Sequence, residues 1–281
     1  MSNASGRLLL MKVARVPMAV LGGVGVLAIL VVTVCGPLLI ATNPNAVNVA
    51  EAFTPPGLRH PLGTDDFGRD TLSRVLYGGR ISFIAGLTAV TLATSVGTFL
   101  GLLFGFYGGA VDNVGMRFLD VMMAFPNLLL ALAVVAVLGP GLRNTILAVG
   151  TTFVPIIARM VRATALRLSL EEYVVAARAI GSGDARLVWR HLLPNVMPTI
   201  IVTSTLLFGW TVLSVSALSF IGVAVRPPTP EWGEMLASAR PHMQTAWWVA
   251  LGPGASLMLL ILSINALGDG LRQVLDPRLR Y

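Results

Sequence analysis

Six long apolar runs divide this chain, and they constrain its fold more than any other feature. The hydrocarbon core of a bilayer is about 30 Å thick, so a helix of roughly 20 apolar residues crosses it. Hydrophobic residues make up 55% of the sequence and charged residues only 12%. We therefore predict an all-α integral membrane protein with six transmembrane helices. The predicted spans are approximately residues 16–40, 81–109, 116–138, 144–161, 199–225 and 246–267.

The basic residues predict how these helices are oriented. Cytoplasmic segments near the ends of membrane spans are enriched in Arg and Lys. Most of the 20 basic residues fall in segments that a six-span topology places inside when both termini are cytoplasmic. The first run is also longer than the apolar part of a cleavable signal peptide. We expect a multi-pass protein of the cytoplasmic (inner) membrane with both termini in the cytoplasm. The terminal basic residues are Arg7, Lys12, Arg15, Arg272, Arg278 and Arg280.

The net charge of +7 does not indicate a nucleic-acid-binding protein. The basic residues flank the apolar runs, where contact with anionic lipid explains them, and no basic patch is interleaved with aromatic residues. The single cysteine, Cys35, excludes a disulfide within the chain, and its apolar surroundings predict a packing role. The three histidines, His60, His191 and His242, lack the spacing of metal ligands. We predict contact with the lipid bilayer, no nucleic acid partner and no metal site.

A polar segment at residues 169–198 interrupts the apolar runs and is the first candidate functional site. Ser169 and Glu172 have the spacing of a capping box, in which each side chain accepts from the other residue's backbone N–H. Apolar or small residues then recur with the period of a helix, which predicts a short amphipathic helix. These residues are Tyr173, Ala176, Ala177 and Ile180.

Glycine and proline residues mark the turn and the end of this segment. Gly181 tolerates a left-handed backbone, so it predicts a turn after the first helix. Ser182 or Asp184 is expected to cap a second helix, and Pro194 and Pro198 mark the entry into the next span. The segment is thus predicted to form a helix, a glycine turn and a second helix.

The motif in this segment resembles the EAA loop of ABC importer permeases. The resemblance rests on Ala176-Ala177, then Gly181 after three residues, then His191-Leu192-Leu193-Pro194-Asn195 after nine more, with Val175 where that family usually has Glu. It implies a type I ABC importer permease fold, in which this coupling loop carries a helix that seats on a cytoplasmic ATPase subunit. The ATPase-coupling residues that the resemblance implies are Ala176, Ala177, Gly181, Asp184, Arg190, Leu193 and Pro194.

The segment between the first two runs, residues 42–80, is rich in proline and is predicted to be an exterior loop. Asp65 and Arg69, like Asp70 and Arg74, have i, i+4 spacing, which predicts a short amphipathic helix at the membrane surface. We therefore divide the chain into two parts. Residues 1–80 hold the cytoplasmic N-terminus, the first helix and the exterior loop, and residues 81–281 form a five-helix permease domain.

Two strings narrow the resemblance to one subfamily. HPLGTDDFGRDTLSRVLYGGR at 60–80 and RFLDVMMAFPNLLLAL at 117–132 are similar to strings in the C-type subunits of dipeptide and oligopeptide permeases. The charged residues of the first string either contact a solute-binding protein or only anchor the loop, and the sequence leaves both interpretations open. The candidate contact residues are Asp65, Asp66, Arg69 and Asp70.

Four glycines recur every fourth residue on one face of the second predicted span. Small residues at this spacing let helix backbones approach closely in lipid. We predict a helix-packing seam, and a neighbour within the same subunit is favoured over a neighbour across a dimer interface. The seam residues are Gly97, Gly101, Gly105 and Gly109.

Three further features support predictions, and two of them have more than one interpretation. Pro126 is expected to kink the third span, either as a flexing point or as fixed geometry. The Ser and Thr residues of the fifth span line a polar path or, as favoured here, bond to carbonyls of their own helix. Trp232, Trp247 and Trp248 are predicted to lie in the aromatic belt at the membrane surface.

The sequence lacks the residues of a catalytic or nucleotide-binding site. A P-loop needs a lysine after its glycines, and the chain's one lysine, Lys12, follows Leu-Leu-Leu-Met. We predict that the chain is not an enzyme and has no catalytic residues. Asp120 is the one acidic residue within a predicted span, which disfavours a proton-coupled carrier. An ion-coupled secondary transporter remains the weaker alternative, and a channel is disfavoured because no charged ring or filter segment is present.

The resemblance implies an assembly and a substrate class. A homologous second permease subunit forms a heterodimer with such a chain, two ATPase subunits bind below it, and an extracytoplasmic solute-binding protein docks above. ATP and Mg²⁺ belong to the ATPase partners, so this chain binds no cofactor itself. The expected substrates are di- and oligopeptides, with another solute such as a nickel chelate or glutathione as the alternative.

Overall fold

The computed structural model describes residues 16–39 and 43–275, in which helices are joined by turns and irregular segments, and one isolated bridge pairs Thr64 with Asp70. A π-helical segment lies at Val188–Leu192, and short 3-10 turns lie at Val49–Glu51 and Arg240–His242. The helices are α1 (Pro17–Leu39), α2 (Thr71–Tyr107), α3 (Gly109–Met123), α4 (Asn127–Leu138), α5 (Leu142–Ser169), α6 (Glu172–Ala179), α7 (Asp184–Leu187), α8 (Leu193–Phe220), α9 (Trp232–Ala239) and α10 (Trp248–Leu275).

Five helical stretches of the described residues are long and apolar enough to cross a membrane. They are α1, α2, α5, the continuous stretch from α7 to α8, and α10. Helices α3 and α4 pass the same test only together, across a bend of 94°. Six spans therefore result only if this bent pair counts as one. The basic residues Arg7, Lys12, Arg15, Arg278 and Arg280, on which part of the predicted orientation rests, lie outside the described residues.

The chain bends sharply next to Pro126, as predicted, but the third predicted span is two helices rather than one continuous helix. Helix α3 ends at Met123, and Pro126 is the N-cap residue of α4, so the chain turns between two separate helices. Proline has no N–H to donate and is disfavoured inside a helix, but it is well tolerated at the start of one. The 12 residues of α4 are about 18 Å long at 1.5 Å per residue, too short to cross a bilayer alone.

Helix α2 begins ten residues before the predicted start of the second span. Asp70 is its N-cap residue, and the Asp70 carboxylate accepts from the Ser73 backbone N–H at 2.7 Å. The predicted separate amphipathic helix is therefore wrong, because residues 65–69 form a turn and residues 71–80 continue directly into the span. The predicted division at 80/81 falls inside α2 for the same reason. A membrane helix can have a polar first turn when that turn lies outside the hydrocarbon region of the bilayer.

Three of the predicted seam glycines lie where α2 packs against α5. A Cβ atom at Gly97 would stand 2.6 Å from Ile157 Cβ, and one at Gly101 would stand 2.6 Å from the Ala158 carbonyl oxygen. Gly105 would meet Ala165 Cβ at 2.8 Å. The neighbour is thus a helix of the same subunit.

Gly109 does not belong to this seam. It is the first residue of α3, and the positive φ values of Gly108 (+61°) and Gly109 (+56°) end α2 and redirect the chain. No heavy atom lies within 4 Å of the Cβ position at Gly109. The four-residue spacing of the glycines therefore continues beyond the end of α2.

The first helix packs against the last one through a second glycine seam that the sequence analysis missed. A Cβ at Gly22 would stand 2.2 Å from the Leu267 backbone N, and a Cβ at Gly270 would stand 2.4 Å from Ala19 Cα. Helix α1 is otherwise largely exposed, and Cys35 on it is exposed rather than packed in the core as predicted.

Three hydroxyl groups on α8 bond to helix carbonyls. Thr205 and Ser214 donate to the carbonyls four residues earlier, and Thr211 donates to Phe208 and to Gly86 on α2 at 3.0 Å. The favoured interpretation, that these hydroxyls bond to carbonyls of their own helix, is confirmed for Thr205, Thr211 and Ser214. Ser204 and Ser216 are exceptions, because the Ser204 hydroxyl lies 2.8 Å from that of Thr94 on α2 and the Ser216 hydroxyl donates to the Glu231 carboxylate.

Candidate functional site

The coupling loop, residues 169–198, begins where α5 ends. The predicted capping box is wrong, because Ser169 is the last residue of α5 and its hydroxyl donates to the Leu166 carbonyl at 2.7 Å. Glu171 is the N-cap residue of α6 instead, with its side chain not bonded to the helix N-terminus. Only Leu170 and Glu171 separate the two helices, so α6 is attached almost directly to a membrane-spanning helix.

The turn after α6 has the geometry that Gly181 predicts. Gly181 has a φ of +83°, its N–H donates to the Arg178 carbonyl at 3.0 Å, and the Ser182 N–H donates to the Ala177 carbonyl at 3.1 Å. This pair of bonds is the Schellman motif, which ends a helix with a left-handed residue. The turn closes α6 tightly and returns the chain toward α7.

The second half of the coupling loop enters the membrane without a break. Gly183 is the N-cap residue of α7, so neither Ser182 nor Asp184 caps it as predicted, and Asp184 is its first residue. The chain then continues through the π-helical segment, which includes Arg190, into α8, where Leu193 and Pro194 begin the helix. Pro194 has no N–H to donate, which is tolerated in the first turn of a helix.

The coupling loop presents an apolar surface that residues 16–39 and 43–275 leave uncovered. Large hydrophobic side chains are exposed along it, while Val174, Leu187 and Leu192 on its other side are fully buried. Exposed apolar groups that are rimmed by charge mark protein contact sites, and Arg178, Arg186 and Arg190 are exposed here. The exposed residues are Leu170 (81%), Tyr173 (44%), Val175 (53%), Ile180 (84%) and Trp189 (68%).

Side-chain contacts hold the two halves of the coupling loop together and tie it to α2. The Asn195 amide donates to the His191 carbonyl at 2.6 Å and to the Tyr173 hydroxyl at 3.4 Å. The Arg178 guanidinium carbon lies 5.1 Å from the centroid of the Phe106 ring, near the end of α2. A cation over an aromatic face at this distance is attractive.

Two ion pairs fasten α3 to α5 beside the coupling loop. The Arg162 guanidinium donates to both carboxylate oxygens of Asp112, and Arg159 donates to Asp120. Bidentate pairing of this kind fixes geometry as well as charge. Asp120, the acidic residue within a predicted span, therefore has a structural partner in this subunit.

A second polar centre lies at the opposite end of α2, and we name it the Arg74 cluster. It consists of Asp65, Arg69, Arg74, Glu231 and Glu234, all of them buried. Arg69 Nε lies 2.7 Å from Asp65 Oδ2, and Arg74 lies 3.4 Å from both Asp65 and Glu234. Burial in a low-dielectric interior raises the pKa of the Glu234 carboxyl above its ordinary value, because desolvation disfavours the charged form.

Helix α9 brings the two glutamates of this cluster to α2. Glu231 is the N-cap residue of α9, and its carboxylate accepts from the Glu234 N–H and from the hydroxyls of Ser82 and Ser216. Trp232 is 1% exposed and donates from Nε1 to the Val75 carbonyl at 2.9 Å. The predicted place of Trp232 in an aromatic belt is therefore wrong, since its ring packs inside the protein.

Burial restricts how the predicted contact residues could meet a solute-binding protein. Asp65 and Arg69 are 5% and 4% exposed and bond to each other. Asp66 and Asp70 remain partly exposed, and Asp70 also lies 2.9 Å from His60 Nδ1. Within residues 16–39 and 43–275, no group of three His, Cys, Asp or Glu residues is placed to hold a metal ion.

Comparison with known proteins shows the family. The family described as "Binding-protein-dependent transport system inner membrane component" matches residues 97–281. The dipeptide transport system permease protein DppC of Alkalihalophilus pseudofirmus is 42% identical over 94% of this chain and 86% of its own length. The di/tripeptide transport system permease protein DppC of Pseudomonas aeruginosa is 47% identical over 79% of this chain and 73% of its own.

Other relatives carry different names within the same family. The glutathione transport system permease protein GsiD of Pectobacterium atrosepticum is 44% identical over 80% of this chain and 75% of its own length. Among solved structures, a chain of the MetNI methionine ABC transporter in inward-facing conformations superposes with a TM-score of 0.51 at 18% identity. That likeness covers 72% of this chain and 93% of the MetNI chain, and it shows a shared fold.

These findings confirm the resemblance that the coupling loop and the two strings carry. The matched relatives are transport components rather than enzymes, and the apolar helices agree with a multi-pass protein of the inner membrane. The chain therefore belongs to the family of binding-protein-dependent transport system inner membrane components, the permease subunits of ABC importers.

Proposed function

We propose that this chain is the C-type permease subunit of an ABC importer that moves di- and oligopeptides across the inner membrane. The observation that carries the substrate class is the 42% identity to a dipeptide permease over 94% of the chain. A solute-binding protein releases the peptide into the translocation path. ATP hydrolysis on partner subunits drives the change between inward-facing and outward-facing states.

The coupling loop is the proposed contact with an ATPase subunit. Its exposed apolar side chains include Val175 on α6, Ile180 at the end of α6 and Trp189 in the π-helical segment, and the same loop exposes Arg186 and Arg190. A short amphipathic helix with this composition fits a hydrophobic groove with acidic edges on a partner. Val175 is 53% exposed, so the position that usually holds Glu contributes apolar contact here rather than charge.

The orientation and the rest of the assembly follow from this contact. The ATPase subunits are cytoplasmic, so the coupling loop and both chain termini face the cytoplasm and the Arg74 cluster faces outward. Two ATPase subunits hold ATP and Mg²⁺, a homologous second permease subunit completes the path, and a solute-binding protein docks on the outer face near Asp66 and Asp70.

Glutathione import is the second candidate function, because GsiD relatives reach 44% identity over 80% of the chain. Glutathione is itself a peptide-like solute, so the two candidates share most recognition chemistry. An ion-coupled secondary transporter receives no support from the family and is not proposed.

Substrate competition in proteoliposomes tests the proposal. The whole complex is reconstituted with its binding protein, and ATP is supplied on the side of the membrane that carries the ATPase subunits. Uptake of radiolabelled Ala-Ala is then measured. We expect ATP-dependent uptake that excess unlabelled tripeptide competes with and that excess free alanine does not. Uptake of labelled glutathione but not of Ala-Ala would transfer the assignment to the second candidate.

A further inference from the structure

Helix α2 reaches from the coupling loop to the Arg74 cluster. It contains 37 residues, so at 1.5 Å per residue it is about 55 Å long, well beyond the roughly 30 Å of bilayer hydrocarbon. Its penultimate residue, Phe106, meets Arg178 of α6, and its first turn holds Arg74. One helix thus has a side-chain contact with each of the two polar centres of the subunit.

The contact at the coupling loop joins two parts that are fixed independently. Arg178 lies in the last turn of α6, and its carbonyl accepts from Gly181 in the turn described above. Phe106 is 9% exposed, belongs to the main core and meets Tyr107 edge-on at 5.2 Å. The backbone of Arg178 and the ring of Phe106 are thus each held by contacts outside this pair.

Helices α5 and α7 are attached to α6 by short chain segments, but α2 is not. Force on α6 therefore reaches α5 and α7 through the backbone. It reaches α2 by two routes, through the glycine seam that packs α2 against α5 and directly from α6 through the Arg178–Phe106 contact.

At the other end, three side-chain interactions tie α2 to the segment that carries α9. Ser82 donates to Glu231 at 2.9 Å, Trp232 donates to the Val75 carbonyl at 2.9 Å, and Arg74 lies 3.4 Å from Glu234. Arg74 also donates to the Pro228 carbonyl at 3.2 Å. A shift or rotation of α2 changes all of these interactions at once.

We propose that Arg178 and Phe106 are positioning residues for energy coupling, which tie α6 to α2 so that α2 carries movement of the coupling loop to the Arg74 cluster. The inference rests on the proposed function, because it requires ATP-driven movement of α6. It assigns Arg178 a partner within the subunit rather than on the ATPase.

The test compares matched variants in the reconstituted complex. Arg178→Gln removes the cation, Phe106→Leu removes the aromatic face, and the double variant removes both. Arg178→Lys and Phe106→Tyr keep a cation and a ring, and Phe99→Leu makes the same substitution at a 65% exposed position of α2. An environment-sensitive fluorophore on Thr229→Cys, in a Cys35→Ser background, reports movement beside Pro228.

Two readouts are measured for each variant, the ATP hydrolysed per Ala-Ala imported and the ATP-driven fluorescence change at position 229. We expect Arg178→Gln and Phe106→Leu each to raise the number of ATP molecules hydrolysed per Ala-Ala imported about two- to thirtyfold. Each should also reduce the fluorescence change. The double variant should be no worse than the worse single variant, because both act through one contact. Arg178→Lys, Phe106→Tyr and Phe99→Leu should stay near wild type.

Several outcomes overturn the inference. Effects that multiply in the double variant would mean that Arg178 acts through the ATPase partner. A Phe106→Leu effect no larger than that of Phe99→Leu, or a wild-type fluorophore that does not respond to ATP, would contradict it as well. If wild type imports no Ala-Ala but ATP moves the fluorophore, and Arg178→Gln abolishes that movement, the inference stands while the peptide assignment fails.

Discussion

Arg74 and Glu234 are 160 residues apart in sequence and meet inside the protein, with Nη2 3.4 Å from Oε2 and side chains only 2% and 3% exposed. Their contact fixes α9, which lies between two predicted spans, onto the first turn of α2. Burying two charges is costly, and removing one partner leaves the other without compensation. The Arg74 cluster therefore depends on both residues being present.

Replacing one member of this pair should destabilise the protein more than replacing both. For Arg74→Gln we expect a loss of about 3–5 kcal/mol in the free energy of unfolding, since Glu234 stays buried without its cation. The double variant Arg74→Met/Glu234→Met should recover a large part of this loss. Unfolding of the detergent-solubilised protein measures both, and a double variant that is less stable than Arg74→Gln would refute the argument.

The pH dependence of stability should show the raised pKa of Glu234. Because its pKa is higher in the folded state than in the unfolded state, the folded state binds the proton more tightly. The contribution is fully present below the unfolded pKa and is lost as the pH rises through the folded pKa. Relative to Glu234→Gln, wild type should lose stability above about pH 4.5, with a slope of at most about 1.4 kcal/mol per pH unit. A thermal unfolding series at several pH values checks this, and an opposite slope contradicts it.

The seam between α2 and α5 should reject even one methyl group. A Cβ at Gly101 would stand 2.6 Å from the Ala158 carbonyl oxygen, whereas the nearest heavy atom to a Cβ at Gly209 on α8 is 3.6 Å away. We expect Gly101→Ala to cost about 1–3 kcal/mol through overpacking and Gly209→Ala to be neutral or stabilising. The melting temperatures of the two variants measure this difference in stability. Equal melting temperatures would contradict the prediction, because they would show that α2 and α5 move apart without cost.

Adjacent glycines on α1 offer a second matched pair. A Cβ at Gly22 would stand 2.2 Å from the backbone of α10, while at Gly23 the nearest heavy atom is a Leu267 methyl at 3.8 Å. Gly22→Ala should separate α1 from α10, and Gly23→Ala should be tolerated, because Ala favours helix over Gly by about 1 kcal/mol. Disulfide trapping between cysteines placed on the two helices should fail only for Gly22→Ala. Trapping that persists in both variants would argue against close packing of α1.

Local patterns in the sequence predicted the elements that local chemistry determines. The first apolar run at 16–40 agrees with α1 at Pro17–Leu39, because an apolar run bounded by polar residues marks a span. Gly181 predicted a left-handed turn, and its φ is +83°. In both cases the residues that decide the structure lie within a few positions of each other.

The Arg74 cluster was not predictable in the same way. Glu231 and Trp232 lie in a proline-rich segment that resembles an exposed loop, and their partners Ser82 and Val75 come from about 150 residues earlier. Asp70 and Arg74 have the spacing of a helix pair, but Asp70 caps α2 while Arg74 turns toward Glu234. Contacts between distant segments override local spacing, so the buried network appears only in the folded chain.

Two glycine turns with the same geometry allow the central claim to be tested with a matched control. Gly181 and Gly222 have φ values of +83° and +82°, each ends a helix with a Schellman motif, and neither has a heavy atom within 4 Å of its Cβ position. Gly181 lies in the coupling loop, whereas Gly222 follows α8 at the other end of the bundle. The same substitution therefore imposes similar backbone strain at the two sites.

The most direct measurement is ATP-dependent uptake of labelled Ala-Ala by proteoliposomes that contain the whole complex, for wild type, Gly181→Trp and Gly222→Trp. We predict that Gly181→Trp loses at least about tenfold in uptake, more than 1.4 kcal/mol of coupling, while its subunits still co-purify, and that Gly222→Trp retains most uptake. Wild-type uptake without ATP, or full uptake by Gly181→Trp, would contradict the claim that residues 169–198 couple ATP hydrolysis to transport.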